Sequence, residues 1–396
     1  MNAVIAGRGD RMHAVGIARP IARGDSGLPT ARVALLGTGN VGQAVLARLA
    51  GWSGTRFGEV LTLTHVGNSR TALQDQGLCP AFAQACFAGG AGVGVAGAAM
   101  DAAGRGSVEL DRLPRVLEGN GHRIVIDATA SDEVAAHHAA WLAQGIHVVT
   151  ACKLGQGTSL ARWRAIRDAA EHGGAQYGDS ATVGAGLPLL RAIRELQAGG
   201  DRIHAIAGVL SGSLAWLFNR YDGLRPFSGF VRQARDAGYT EPDPREDLSG
   251  EDVRRKILIL ARAAGVELEA NAVEVESLVP EALAGVAREQ VDAVLPALDA
   301  PLRARFAAAR KRGEVLRFIA RLDSAGSGRG KARVGLESLP EDHPLAGGAG
   351  TDNKVAIWSD RYQQQPLVIQ GPGAGAHVTA AGLLDDALRI ARSTRD

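Results

Sequence analysis

Along the chain, hydrophobic positions come first as short unbroken runs and later as helical stripes. VALL (33–36), LTLTHV (61–66), RIVIDAT (123–129) and HVVTA (147–151) are apolar runs bounded by turn residues. Such runs suit strands buried on both faces. Between them, VGQAVLARL (41–49) and EVAAHHAAWLAQG (133–145) repeat apolar residues at helical spacing. Strands alternating with helices predict an α/β fold with a doubly wound, Rossmann-like parallel sheet. Further strands are expected in GAQYGDSA (174–181) and RIHAIAGVL (202–210). The Ala/Gly-rich stretch 81–106 reads as a helix followed by a loose loop.

The texture changes after residue 155. Helical stripes run through SLARWRAIRDAAEHG (159–173), LPLLRAIRELQAG (187–199), SLAWLFNRYDG (213–223) and FSGFVRQARDAG (227–238). Strand-like pieces follow at VLRFIARLD (315–323), KARVGLESL (331–339), KVAIWSD (354–360) and PLVIQG (366–371). This predicts an α+β unit with a mostly antiparallel sheet. GPGAGAHVTAAGLLDDALRIA (371–391) is a glycine turn feeding a helix. The expected division is a dinucleotide-binding unit over 31–155, with 371–396 packing back on it, and a catalytic and dimerisation unit over 156–370. Residues 1–30 lack an apolar signal core and read as a disordered arm.

Composition narrows the function classes. The formal charge of +2 in 396 residues calls for no nucleic acid and no anionic membrane as partner. No apolar run approaches the roughly 20 residues of a membrane span. Cys79, Cys86 and Cys152 have neither metal-ligand nor disulfide-framework spacing, which fits a reducing cytoplasm.

Gly37-Thr38-Gly39-Asn40-Val41-Gly42 is GxGxxG between a strand and a helix. The first glycine allows the tight turn and the second a close approach of backbone to a pyrophosphate. The third lets helix pack on sheet, and the helix N-terminus stabilises the phosphates. NAD sites usually carry an acid at the end of the second strand. Here that strand ends in Val66-Gly67-Asn68-Ser69-Arg70, so Ser69 and Arg70 favour the 2′-phosphate of NADP, with NAD left open as well. Asp127-Ala128-Thr129 and Thr150-Ala151-Cys152-Lys153 fall at carboxyl ends of neighbouring strands, where open α/β sheets bind ligands. Lys153 can meet a phosphate, a carboxamide or a carboxylate. Cys152 reads as a small buried residue, with no histidine placed to activate it. The bend Ala181–Pro188 is either a hinge or a set of inward carbonyls for a monovalent cation.

EPDPREDLSGEDVRRK (241–256) runs into the apolar LILARAAG. Ser249 or Asp247 is expected to cap the helix that starts there, with Glu251 and Asp252 in its first turn. Asp252 and Lys256 share one helix face. Opposite a nicotinamide they would pair a proton donor with an anionic partner. Glu241 and Asp247 can receive an ammonium and a hydroxyl, so the pattern suits a small amino-acid substrate with a group being reduced.

With these residues the chain resembles homoserine dehydrogenase, from about Arg32 onward. The likeness rests on ALLGTGNVG, VGNSR, VTACK, ATVGAGLP, GVLSGSLAWLF, GYTEPDPREDLSGEDVRRKILILAR and GPGAGAHVTAAG. LSGSL and VGNSR look most like the dehydrogenase half of fused aspartokinase–homoserine dehydrogenases, with no kinase or ACT-like tail expected in these 396 residues. The resemblance implies reversible NAD(P)H-dependent reduction of L-aspartate 4-semialdehyde to L-homoserine, in threonine, methionine and isoleucine biosynthesis. It implies Lys256 as proton donor, Glu241 and Asp252 in substrate binding with Asp247 nearby, and Lys153 beside cofactor and substrate. Gly238, Thr129 and Gly375 would contact the cofactor. Backbone oxygens of Val183, Ala185 and Leu187 would surround a sodium ion, and the chain would form a homodimer through its second sheet. Three positions depart from the family pattern: Ser180 stands where relatives place a glutamate, Cys152 where an asparagine is frequent, and Leu154 where a lysine is. Alternatives are another NADP-linked amino-acid semialdehyde reductase and an inactive dinucleotide-binding subunit.

Overall fold

A computed structural model describes residues 30–88, 110–326 and 328–393. The arm expected over 1–30 lies, apart from Thr30, outside the described residues. So does most of the Ala/Gly-rich loop, while its helix forms at Pro80–Ala88. The described residues build two six-stranded sheets.

The first sheet contains β1 (Ala31–Leu36), β2 (Leu61–Gly67), β3 (Ala72–Gln74), β4 (His122–Asp127), β5 (His147–Thr150) and β6 (Tyr177–Gly178). Their order is β3-β2-β1-β4-β5-β6. β1 is parallel to β2 and β4, and β5 is parallel to β4 and β6. Only β3 runs antiparallel, as an edge beside β2. All six residues of β1 are buried. Val33 and Leu35 join a core with Leu49 and with Leu383, Leu384 and Leu388 of the tail helix Ala376–Arg392. Ala34 and Leu36 face the opposite core with Trp141, Leu142 and Ile166. The unbroken apolar run thus has a physical cause, since alternate side chains enter two different cores. Each fully buried Val or Leu contributes about 1.5–3 kcal/mol.

The second sheet contains β7 (Ile203–Val209), β8 (Val273–Val275), β9 (Glu314–Gly326), β10 (Arg329–Pro340), β11 (Asp352–Ser359) and β12 (Leu367–Pro372). Its order is β12-β11-β7-β9-β10-β8. All pairings are antiparallel except β10 with β8. One large core joins Ile206 of β7, Phe318 and Leu322 of β9, and Ile257 and Leu260 of the helix Glu251–Ala263. No helix among the described residues is long and apolar enough to cross a membrane.

Three features depart from the sequence reading. β6 extends the first sheet past residue 155. β3 and β8 are three residues each, too short to leave a periodic signal. The helix Asp299–Lys311 carries four arginines and lysines among small alanines, which blurs its apolar stripe.

Candidate active site

Carboxyl ends of four neighbouring strands bring the motifs to one edge of the first sheet. The Gly37 N–H donates to Gly67 O at 2.8 Å, Ala128 N–H to Leu36 O at 2.8 Å, and Ala151 N–H to Asp127 O at 3.1 Å. Gly37, Gly67–Arg70, Thr129 and Ala151–Lys153 therefore border one crevice, where the chain's path reverses across β1. A Cβ at Gly42 would stand 1.9 Å from Gly37 O, so only glycine lets the helix Asn40–Gly51 approach the turn. Gly39 caps that helix without a side-chain bond, and Asn40 beside it is exposed. The first N–H groups of a helix lack intrahelical acceptors, so this N-terminus suits an anion. Val41 is half-buried against the first core. At the end of β2, Asn68 accepts the N–H groups of Arg70 at 2.8 Å and Thr71 at 3.0 Å. Its amide donates to Thr38 Oγ1 at 2.9 Å, tying the Ser69–Arg70 loop to the glycine turn. Ser69 and Arg70 are exposed.

Below this edge lies a buried carboxylate. Asp127 accepts Thr129 N–H at 2.9 Å and Thr129 Oγ1–H at 2.6 Å on one oxygen. Its other oxygen meets Thr150 Oγ1 and His138 Nε2, both at 3.1 Å. His138 Nδ1 reaches Tyr177 OH at 2.9 Å. One acid thus fixes the loops after β4 and β5 together. Cys152 is buried beside it. Burial pushes its thiol up to about 11, and the Asp127 charge adds to this, so the thiol is a poor nucleophile.

The charged stretch converges on the same region. Helix Glu251–Ala263 begins at Gly250, whose backbone is left-handed, with no side-chain cap. Ser249 Oγ accepts only the Glu251 N–H, at 3.3 Å. Asp247 is turned away from that helix: it accepts Ser213 Oγ–H at 2.6 Å and the Glu241 N–H at 2.8 Å. It lies on an extra short helix, Arg245–Leu248, that follows Pro244. Lys256 is 9% exposed. Its ammonium donates to Leu210 O at 2.7 Å and pairs with Asp252 Oδ2 at 2.7 Å. Asp252 Oδ1 lies 3.3 Å from Lys153 Nζ, so a residue of the first sheet's edge meets the helix packed on the second sheet. Burial holds the Lys256 ammonium below its ordinary pKa, against the upward pull of Asp252. Burial pushes the Asp252 carboxyl up, but Lys256 and Lys153 outweigh it and hold the group well below the usual carboxylate range.

Two family models match the chain: the homoserine dehydrogenase NAD-binding domain over residues 37–178, and homoserine dehydrogenase over 188–388. The homoserine dehydrogenase of Emericella nidulans is 37% identical over 297 residues, covering 72% of this chain and 80% of that protein. The chain belongs to the homoserine dehydrogenase family. It is also 45% identical over 269 residues to bifunctional aspartokinase/homoserine dehydrogenase 2 of Escherichia coli, covering 68% of this chain. That match spans 33% of the Escherichia coli protein's length, and the corresponding match spans 29% of a Zea mays bifunctional relative. Among solved structures, a Candida auris protein of unknown function is 32% identical with a TM-score of 0.80, covering 92% of this chain and 98% of that one. A hyperthermophilic archaeal homoserine dehydrogenase in complex with NADPH, 20% identical with a TM-score of 0.70, covers 91% and 97% and shares the fold.

The remaining residues singled out from the homoserine dehydrogenase likeness lie in three loops. Gly238 ends the helix Phe227–Asp236 at φ 73°, three residues before Glu241, whose side chain is exposed. Gly375 starts the tail helix. Val183, Ala185 and Leu187 share one turn, in which Ala185 is, among the described residues, the one non-glycine with positive φ, 54°. Leu187 O already accepts the Leu189 N–H at 2.8 Å. Ser180 Oγ donates to Asp386 at 2.9 Å, and Asp386 also pairs with Arg389. Asp179 is taken by Arg194 through two bonds of 2.6 Å. Both acids beside the turn are therefore matched by guanidinium groups, and the turn itself supplies no carboxylate. What the turn offers a cation is main-chain oxygens alone, with Leu187 O already engaged.

Sequence reasoning passed over two residues of the site. Ser213, which holds Asp247, is signalled by the Ser-Gly-Ser start of helix Gly212–Arg220. Arg262 is signalled by a lone charge in the apolar run LILARAAG.

Proposed function

We propose that the chain catalyses the NADP-dependent interconversion of L-homoserine and L-aspartate 4-semialdehyde, as one step in threonine, methionine and isoleucine biosynthesis in the cytoplasm. The observation that supports it most is the Lys153–Asp252–Lys256 cluster at the mouth of the dinucleotide crevice. Gly37, Gly39, Asn40, Val41 and Gly42 would hold the cofactor's pyrophosphate. Ser69 and Arg70 would take the 2′-phosphate, and Thr129, Lys153, Gly238 and Gly375 would complete the cofactor site. NAD use remains compatible with the absence of an acid at Asn68, since nothing there repels a free ribose hydroxyl. Hydride donation and acceptance are the chemistry that the nicotinamide supplies when bound.

The chain's own residues would do the rest. Glu241 and Asp247 would receive the substrate ammonium and hydroxyl, and Asp252 would orient the substrate and Lys256. Charge develops on the substrate oxygen as its carbonyl is reduced. The Lys256 ammonium would donate a proton to that oxygen, a contribution of about 10²–10⁴-fold in rate. Its lowered pKa makes it a better acid than a free lysine. In the oxidation direction the neutral amine would take the proton back. A homodimer through the second sheet fits the alternating half-buried and exposed residues of its edge strand β12.

Homoserine-dependent reduction of NADP, followed at the nicotinamide absorbance, tests the proposal. Turnover with a different hydroxy amino acid but not homoserine would point to another semialdehyde reductase. Cofactor binding without turnover would point to an inactive subunit.

A further inference from the structure

The loop that carries Lys153 is fastened to the helix of Asp252 and Lys256 by a single buried side chain. Arg262, two turns along that helix from Lys256, is 2% exposed. Among the described residues no carboxylate pairs with it. Its donors all go to main-chain carbonyls: Nη1 to Gln156 O, Nη2 to Thr158 O and Leu268 O, each of these two at 2.8 Å, and Nε to Leu268 O at 3.3 Å. A guanidinium in an apolar core is costly unless its N–H groups are satisfied, and here two of the three carbonyls that satisfy it, those of Gln156 and Thr158, belong to the Lys153 loop, while Leu268 follows its own helix. Burial lowers its pKa only to about 10, so the charge persists at neutral pH.

The loop has little freedom between these bonds and Lys153. Gly157 N–H donates to Lys153 O at 2.6 Å. A Cβ at Gly157 would stand 2.7 Å from Lys153 O and 3.3 Å from Arg255 Cβ, so the loop lies directly on the helix. At its other end the loop meets the same helix through Lys153 and Asp252, 3.3 Å apart. Arg262 and Asp252 are ten residues apart, about 15 Å of helix. The loop is thus tied at both ends of one rigid rod.

We propose that Arg262 is a positioning residue for the reaction, holding the Lys153 loop on the catalytic helix so that Lys153 meets Asp252. This role rests on the dehydrogenase reading above. The guanidinium fork reaches three carbonyls at once, whereas a lysine ammonium is a point donor that cannot span them.

A double-mutant cycle on the full chain tests it: wild type, Arg262→Lys, Lys153→Ala and the double variant, assayed for kcat/KM of homoserine at saturating NADP. Melting temperature and NADP affinity are measured in parallel. Misplacement by about an ångström predicts a loss of about 10²-fold for Arg262→Lys, with NADP affinity retained. In the Lys153→Ala background the same substitution should have almost no further effect, because its consequence passes through Lys153. Should Arg262→Lys fold poorly, Gly157→Ala strikes the same link and should give the same loss with the same non-additivity. Effects that multiply, or a lowered melting temperature with kcat/KM unchanged, would overturn the role. Absence of homoserine turnover by the wild type would instead sink the dehydrogenase reading and this role with it. Wild-type turnover with multiplying effects sinks the role of Arg262 alone.

Discussion

Replacing Asp252 by asparagine keeps its shape and removes the negative charge between two lysines. Lys256 then keeps Leu210 O at 2.7 Å as a neutral partner and faces Lys153 without an intervening anion. Unit charges about 3 Å apart interact by about 5 kcal/mol at an effective dielectric of about 20. Asp252 is 46% exposed, so solvent screening reduces this to about 1–3 kcal/mol. At about 1.4 kcal/mol per pKa unit, the Lys256 pKa should fall by about 1–2 units. The direction follows from burial, which already holds this ammonium below its ordinary value while Asp252 pulls it back up. Reduction of the semialdehyde needs the ammonium, so its kcat is lost as pH rises through this pKa. In Asp252→Asn that loss should begin about 1–2 pH units lower. Oxidation of homoserine needs the neutral amine, so its rising limb should move down by the same interval. Profiles of kcat against pH in both directions provide the measurement. A folded variant whose limbs stay at the wild-type pH, or move upward, would refute the coupling of Asp252 to Lys256.

Other expectations concern the cofactor, the turn and the cysteines. Arg70→Ala should raise KM for NADP by about tenfold, the worth of a charge-assisted hydrogen bond, and leave KM for NAD almost unchanged; equal effects on both would reject Arg70 as the phosphate contact. Exchange of sodium for potassium should leave kcat and melting temperature unchanged, because both acids beside the Val183–Leu187 turn are held by arginines; an activity restored by sodium alone would contradict this. Iodoacetamide at about pH 8 should label the exposed Cys79 and spare the buried Cys152, whose thiol is held at about 11; mass-spectrometric detection of Cys152 adducts in folded, inactivated protein would contradict that placement.

Much of the fold was legible because its strongest signals are periodic. β1 is a fully buried run followed by glycines and a helix, and each feature alone suggests the crossover. The long strands β9 and β10 and the helix Glu251–Ala263 carry enough residues for a pattern to emerge. β3 and β8 do not: three residues each hold no period, and only pairing with neighbours makes them strands; β6 falls within the expected stretch 174–181 but keeps only two residues of it. At the site, the Asp252–Lys256 spacing was enough to put both on one face, and it did so because i and i+4 adjacency is local. The meeting of Lys153 with Asp252 is not local, since 99 residues separate them; no spacing signals it, and the resemblance placed Lys153 only beside cofactor and substrate. Capping was misjudged at Asp247. An acid before a helix commonly caps it, yet Ser213 and the Glu241 N–H compete for this carboxylate and draw it toward the site.

Lys256→Ala tests the central claim most directly, with kcat measured for both homoserine oxidation and semialdehyde reduction beside NADP affinity and melting temperature. The account predicts a folded protein that binds NADP as the wild type does and loses about 10²–10⁴-fold of kcat in both directions. A variant with near wild-type kcat and only a lowered melting temperature would show that Lys256 and Asp252 form a structural ion pair, and that the proton relay lies elsewhere.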